Sequence, residues 1–423
     1  MGLTRDYGDI AHYHLAGQDL FLLSHPDYVK DVLVTNAAKF FKGRGFEKAK
    51  RLFGEGLLTS EGEFHMRQRR LVQPAFHRQR VTSYGDLISS YAERVGKGWR
   101  QDVAVDVHQE MTRLTLAIAG KTLFDADVET EAEEIGRALR EALGLFDTVM
   151  NPFMQWLEKL PWGKSRRFHQ ARARLDTTIY RIIRERRASN EDRGDVLSML
   201  LRSDDAEGGT GIMTDEQLRD ECMTIFLAGH ETIANALTWT WYLLSQNPQA
   251  YARVQDEADR IPSNRLPAAS DLPQLAYTEK VFAESMRMYP PGWMMDRRAI
   301  EPYSIGGYTF PVDSMMVMSP YVLHHDARFF PEPFHFDPER WTAEGRASRP
   351  RYCYLPFGAG PRSCIGEAFA WMEAVLIIST IVRRWSLDLE PGHPVEMKPA
   401  VILRPRHGMR MIPRARHTHG ASP

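Results

Sequence analysis

The apolar positions of this chain fall into two regimes. Near the N-terminus they come in short runs, HYHLA and LFLLS, separated by turn residues, which predicts a small β-hairpin. From about Pro26 onward helical spacing dominates. Ser60 to Glu63 (SEGE) reads as a capping box, with Ser60 as N-cap, opening a helix that carries His65, Arg69 and Arg70. A second box, Thr214 to Gln217 (TDEQ), opens a helical pattern that runs to Asn247, where Pro248 stops it. At ~1.5 Å per residue this helix is ~50 Å long, enough to cross a whole domain. Its apolar segments, FLA and ANALTWTWYLL, predict burial. A further helix begins near Tyr277 and ends at Tyr289-Pro290-Pro291. Beyond it, YSIGGYTFPVDSMMVMSPYVLHHD has the glycine turns and β-formers of short strands, and FFPEPFHFDPERW is too proline-rich for anything but an ordered loop. The expectation is a mainly α protein, its small sheet region built from the N-terminal strands and the segment after Pro291.

Composition narrows the class. The 423 residues are 43% hydrophobic and 26% charged, ordinary globular usage. With 54 Lys+Arg against 55 Asp+Glu, no global field argues for nucleic acid. The three cysteines, Cys222, Cys353 and Cys364, form no CxxC pair, which argues against a disulfide framework and a structural zinc site. No run of 18 apolar residues is present, and MGLTRDYGDI lacks a signal-peptide core. A cytoplasmic protein is expected, with membrane association through a longer leader before Met1 as the open alternative.

Candidate chemistry sits in four places. His65 and Arg69 are four apart and share a helix face; alone, that is an ordinary solvated basic face, as is the basic run Arg166 to Arg187. AGHET, Ala228 to Thr232, puts a glycine, a charge and a hydroxyl in the middle of the buried long helix. A mid-helix glycine costs ~1 kcal/mol against alanine, and a buried carboxylate costs more unless paired or hydrated, so a distorted turn facing a cavity is expected. Glu284 and Arg287 are three apart, weak evidence by itself. Finally, FGAGPRSCIG, Phe357 to Gly366, brings Cys364 to the start of an apolar helix, where the dipole and free N–H groups stabilise a thiolate. Such a sulfur suits one axial position of a haem iron. A buried packing cysteine is the commoner fate of a lone Cys, but it needs neither the glycines nor Arg362.

FGAGPRSCIG matches the haem-binding loop of the cytochrome P450 family, F-G-x-G-x-R-x-C-x-G, at every defined position. His65/Arg69, AGHET, ESMR and FDPERW resemble the family's other motifs in order and spacing, so the resemblance covers essentially the whole chain. It implies the cytochrome P450 fold as a single domain over 1–423. The β-rich part would lie roughly at 9–25, 292–325 and 385–412, the helical part at 26–290 and 350–384, with no reductase domain. Haem b would lie between the long central helix and the helix after the cysteine loop. Carried over by residue, Cys364 is the axial thiolate and metal ligand, and Phe357 packs beside it. Gly358 and Gly366 admit the cofactor, while His65, Arg69, Arg297 and Arg362 meet its propionates. Glu284, Arg287 and Arg340 form a buried network locking the cysteine loop. Ala228 and Gly229 open a groove for O₂, and Glu231 and Thr232 deliver protons. Thr232 is followed by Ile233 where the family often has a second threonine, His65 stands where many members have tryptophan, and the chain starts late relative to the family.

The resemblance further implies a monooxygenase that hydroxylates or epoxidises a lipophilic molecule such as a terpenoid, steroid or fatty acid. It would take O₂ and two electrons from a separate ferredoxin or flavodoxin with its reductase, which Arg349, Arg351 and Arg362 could meet, and act as a monomer without nucleic acid. Pocket candidates are Phe146, Phe153, Trp293, Met294, Met295 and Val401. The stretch LGLFDTVMNPFMQWLEKLPW, broken by Pro152 and Pro161, reads as two helices and a loop, either core or a lid. A peroxide-driven or isomerising haem-thiolate enzyme is the alternative, disfavoured by the Glu231-Thr232 pair; a non-catalytic haem sensor is the distant one.

Overall fold

The computed structural model describes residues 2–15, 17–125, 163–189, 191–203 and 213–416. The strands are β1 (Ile10–Leu15), β2 (Gln18–Leu23), β3 (Phe40–Lys42), β4 (Val105–Asp106), β5 (Met295–Ala299), β6 (Tyr303–Ile305), β7 (Tyr308–Phe310), β8 (Met315–Met318), β9 (Trp385–Leu389), β10 (Met397–Pro399), β11 (Leu403–Pro405) and β12 (Arg410–Ala415). The helices that build the site are α1 (Gly62–Val72), α2 (Gly85–Gly98), α3 (Val107–Phe124), α4 (Gly163–Ser189), α5 (Asp215–Gln246), α6 (Pro248–Asp259), α7 (Ala276–Met288) and α8 (Glu367–Val382).

The expected hairpin is β1–β2, with Leu15 opposite Gln18. It joins the segment after Pro291 in one five-stranded sheet, ordered β1-β2-β8-β5-β3. Only β2–β8 is parallel; β8–β5 and β5–β3 are antiparallel. β3 lies inside a region expected to be helical. Its three residues, FFK, carry too little pattern to announce a strand, and pairing with distant β5 decides their state. β9, β12 and β4 form a second sheet, while β6–β7 and β10–β11 are separate ribbons.

α5 is the spine. Thr214 caps it with a reciprocal Gln217 capping box, and it runs unbroken for 32 residues. The helix therefore continues through AGHET without the distortion expected there. Trp239 and Trp241 are fully buried, packing with Phe282 of α7 and Ile377 of α8 in the largest apolar cluster. α8 is buried all round from Met372 to Val382, as a helix enclosed by neighbours must be. Burial pushes the carboxyl of Glu373 well above its usual range, so α8 carries a neutral acid rather than a buried charge.

Two local expectations change. Ser60 does not cap α1: the N-cap is Glu61, without a side-chain cap bond, and the Ser60 hydroxyl lies 3.3 Å from His65 Nδ1. The basic α4 is not solvated throughout either. Arg186 is buried and bridges Asp195 (2.6 Å) and the Phe124 carbonyl (2.8 Å), tying α4 to the C-terminus of α3. Among the described residues, no helix is long and apolar enough to cross a membrane.

Candidate haem and oxygen site

The cysteine loop is closed by its own backbone. The Cys364 N–H donates to the Phe357 carbonyl at 2.9 Å, and Ser363 N–H to Gly360 at 3.0 Å. Gly360 sits at φ +70°, and a Cβ there would lie 1.9 Å from the Leu33 carbonyl oxygen. Gly360→Ala is therefore expected to cost at least about 2 kcal/mol, strain plus displacement of Leu33, read from the midpoint of urea unfolding. Gly366 is the N-cap of α8, which starts the apolar helix two residues past Cys364. The Cys364 side chain keeps open surface, unlike the buried Cys222 and Cys353. Burial pushes its thiol up; the Gly366 N–H and Arg69 pull it down, and Glu367 adds to the rise. Burial outweighs the helix end, contrary to the expectation that the helix alone steadies a thiolate. A cation at the sulfur would offset that rise.

α5 is open at one turn. Residues 217–227 are almost all buried, but Ala228 is exposed and Gly229, Glu231 and Thr232 are half-buried. A Cβ on Gly229 would meet nothing within 4 Å. Between Leu218 and Trp241 this openness is confined to one turn of the helix. The turn's carbonyls are held by side chains. Thr232 Oγ1 donates to Ala228 O (2.7 Å), Asn235 Nδ2 to Glu231 O (2.7 Å), and Thr115 Oγ1 of α3 to His230 O (3.0 Å). The Glu231 carboxylate is 3.8 Å from the guanidinium of Arg404 on β11. This ion pair answers how a charge survives in that helix; sequence spacing gave no sign of it.

The four groups assigned to the propionates lie near one another. Arg362 Nη1 donates to Ser60 O (2.7 Å) and lies 3.1 Å from His65 Nδ1, while Nη2 binds Glu61. Arg69 Nη1 donates to Ser363 O at 2.8 Å, and Arg297 Nη1 to Asp296 O at 2.7 Å. Burial and the charges of Arg362 and Lys42 push His65 down to about 3, so the imidazole is neutral. Its buried Nε2 has no hydrogen-bond partner among the described residues. Burial also lowers Arg297 to about 10. Lys42, Glu61 and Asp296 complete this nest, and sequence reading missed all three.

Glu284, Arg287 and Arg340 form the expected buried network. Arg287 is bidentate to Glu284 at 2.9 and 2.8 Å, both side chains fully buried. Arg340 Nε is 3.3 Å from the same carboxylate, an ion-pair contact without hydrogen-bond alignment. Trp341 Nε1 and the Asp337 N–H add bonds of 2.9 and 3.0 Å. Arg287 also holds the carbonyls of His324 and Pro333. His324 Nε2 accepts the Leu355 N–H at 2.9 Å, which carries the network to within two residues of Phe357. Burial keeps His324 well below its ordinary value and His325 at about 4. Both stay neutral in the fold but take up protons near pH 6.5 once unfolded. Stability should therefore fall as pH drops below about 6.5; chemical denaturation at pH 7.5, 6 and 5 checks this, and substituting His325 by Phe should flatten the slope.

Phe146 and Phe153 lie outside the described residues. Trp293 Nε1 donates to Ala400 O at 2.8 Å, which joins the two segments expected to line the pocket. Met294 and Val401 are exposed, whereas Met295 lies against Gly358 and packs on the cysteine loop. Of the basic residues expected to meet an electron donor, Arg351 is exposed. Arg349 instead stacks on Trp341 and Phe330, at 4.8 and 5.1 Å. A separate cleft of about 340 Å³, lined by Trp341, Arg349, Tyr354 and Trp371, includes neither Cys364 nor Thr232 and is not this site.

The open sulfur, the neutral imidazole with its unpartnered Nε2, the clustered cations and the open turn of α5 fit an anionic planar iron cofactor. The family model described as cytochrome P450 matches residues 1–412. The chain belongs to the cytochrome P450 family. Haem b with an axial cysteine thiolate is the cofactor of this family, and the chain is a cytochrome P450 monooxygenase. It is 40% identical over 97% of its length, and 89% of the relative's, to cyclooctatin synthase of Streptomyces melanosporofaciens. It is 38% identical to cyclooctat-9-en-7-ol 5-monooxygenase of the same organism, over 91% and 84% of the two chains. Pentalenene oxygenase of Streptomyces avermitilis is 30% identical over 96% and 89%. In structure it is similar to the haem domain of cytochrome P450DA, with a TM-score of 0.90 and 26% identity over 99% of this chain and 93% of that one.

Proposed function

We propose that this cytochrome P450 hydroxylates a polycyclic terpenoid. The observation that carries the reading is its 40% identity to cyclooctatin synthase, reinforced by two further relatives whose names denote oxygenation of terpenoids. The apolar, methionine-bearing edge of the cavity suits such a substrate. Cys364 is the residue we assign as axial ligand, with Phe357, Gly358 and Gly366 shaping its surroundings. His65, Arg69, Arg297 and Arg362 hold the carboxylates of the haem, which supplies O₂ activation when bound. Ala228 and Gly229 would leave room for O₂ when the cofactor is bound, and Trp293, Met294, Met295 and Val401 would contribute to the substrate side. Electrons come from a separate ferredoxin or flavodoxin and its reductase.

The chain's own part in the chemistry is to admit the substrate and deliver protons. Glu231, paired with Arg404, passes protons toward Thr232, whose hydroxyl donates to Ala228 O and keeps its lone pairs free to accept. Thr232→Ala should lower product formed per electron consumed at least about tenfold while electron consumption continues. Unchanged coupling would remove Thr232 from the proton path.

The deciding experiment titrates the holoprotein with cyclic terpenes, terpene alcohols, steroids and fatty acids. The haem Soret shift is followed, then turnover with a surrogate ferredoxin and reductase. Binding and single-oxygen insertion confined to terpenoids supports the reading; turnover of fatty acids or steroids alone overturns the substrate class. Turnover with peroxide but not with the electron donors would favour the peroxide-driven alternative, and binding without any product the sensor.

A further inference from the structure

The separate cleft near the buried Glu284 network has a lining that the haem chemistry leaves unused. It lies between α7, α8 and residues 341–354, and its volume of about 340 Å³ puts it at the small end of ligand sites. Its walls are aromatic. Trp341 and Tyr354 stand 4.3 Å apart, ring centre to ring centre. Their polar atoms are already paired inside the protein, Trp341 Nε1 with Glu284 and the Tyr354 hydroxyl with the Ala283 carbonyl, each at 2.9 Å. These rings therefore offer a ligand their apolar surface. Trp371 completes the wall and packs on Phe357, with ring centres 5.9 Å apart. An occupant thus touches two side chains that bear on the cysteine loop, Trp341 through Glu284 and Trp371 through Phe357.

Three arginines line the same cleft, Arg346, Arg349 and Arg351. Arg346 shares Glu279 at 3.2 Å, with both side chains about half exposed. Arg349 lies 4.8 Å from the Trp341 ring and donates to the Arg340 carbonyl at 2.8 Å. Arg351 is exposed, 5.6 Å from the Tyr352 ring. Neither Arg349 nor Arg351 has an ion-pair partner among the described residues. Glu284 attracts Arg349 but is already shared by Arg287 and Arg340. The cleft is therefore short of negative charge beside an apolar wall. A guanidinium takes a carboxylate through two parallel N–H bonds and stacks on aromatic faces. An inorganic anion would use the arginines alone and a neutral hydrocarbon the rings alone; an aromatic acid uses both. We propose that this cleft binds a small aromatic carboxylate, one or two rings with a single acid group, separately from the terpenoid and the oxygenation site.

The test titrates the holoprotein with naphthoate by calorimetry, with a bulky azole ligated to the haem iron to keep the acid off the substrate side. Naphthoate should bind while the azole-type Soret band stays in place. The matching naphthyl alcohol, which has the rings without the charge, should bind at least about tenfold more weakly, the lower end of what charge-assisted hydrogen bonds contribute. Arg349→Gln and Arg351→Gln should each weaken naphthoate about tenfold. Arg260→Gln, at an exposed site outside the cleft, should change nothing. Because Arg349 also holds the Arg340 carbonyl, an Arg349→Gln protein that fails to fold leaves Arg351→Gln to carry the comparison. No binding, equal affinity for the alcohol, or arginine variants that bind as tightly as the parent overturn the proposal. Binding seen only without the azole places the acid on the substrate side and overturns it too. Slower electron transfer from a ferredoxin to Arg351→Gln, with naphthoate affinity unchanged, would assign that arginine to the protein donor instead.

Discussion

Cys364→Ala should abolish both turnover and the red-shifted Soret band that a thiolate ligand gives the reduced carbon monoxide complex. The expectation follows from the sulfur's surroundings. Burial pushes the thiol up more than the Gly366 N–H and Arg69 pull it down, so the loop by itself favours the neutral form. A metal cation reverses that balance, because a coordinating thiol is deprotonated outright. The loop needs no sulfur to keep its shape: it is closed by the Cys364 N–H to Phe357 O and by Gly360 packed on Leu33. The alanine variant should therefore fold with an unchanged far-UV spectrum while losing the ligand. Cys222 and Cys353 are both buried, and burial raises them to directions or values that disfavour a thiolate, Cys353 to about 11. Neither is placed to substitute. Persistence of the thiolate-type band in Cys364→Ala would show that the axial ligand lies elsewhere.

The residues legible in the sequence share one property: their neighbours in the chain explain them. The Thr214 capping box and Pro248 bracket α5 because helix ends are local events. The glycines around Cys364 announce a loop because φ +70° at Gly358 and Gly360 is a requirement of those positions alone. What stayed hidden depends on partners far along the chain. β3 exists through its pairing with β5, and the same pairing brings Lys42 to Arg297. Arg404 reaches Glu231 from a C-terminal ribbon, with nothing near position 404 to mark it. Ser60 shows the converse case. Its capping pattern is sound by local rules, but His65 and Arg362 draw the hydroxyl and carbonyl of Ser60 into the nest instead. Local rules thus pointed to the cysteine loop and the AGHET turn, and missed the charged partners beside them.

Glu284→Gln should destabilise the protein by about 3–5 kcal/mol, the cost of leaving buried charge without its counter-charge. Glu284 and Arg287 have fully buried side chains, and Arg340 is nearly so. Glutamine matches the carboxylate in shape, so packing survives, but the Trp341 and Asp337 donors meet different oxygens and only one of them keeps an acceptor. What it cannot supply is a second acceptor for the fork of Arg287, nor the charge that two guanidinium groups share. An exposed pair at the same spacing sets the scale: Glu110 and Arg113 lie 3.3 Å apart with the arginine largely in solvent. Arg113→Ala should cost less than about 1 kcal/mol. The two variants therefore separate burial from mere spacing, the ambiguity that makes an ExxR weak evidence in a sequence. Denaturant midpoints of both, with haem content measured alongside, check the expectation. Because Arg287 reaches the cysteine loop through His324 O and the His324 bond to Leu355, Glu284→Gln should also lower haem occupancy. A Glu284→Gln protein as stable and as fully loaded as its parent would mean that the network is spectator to the cysteine loop rather than its support.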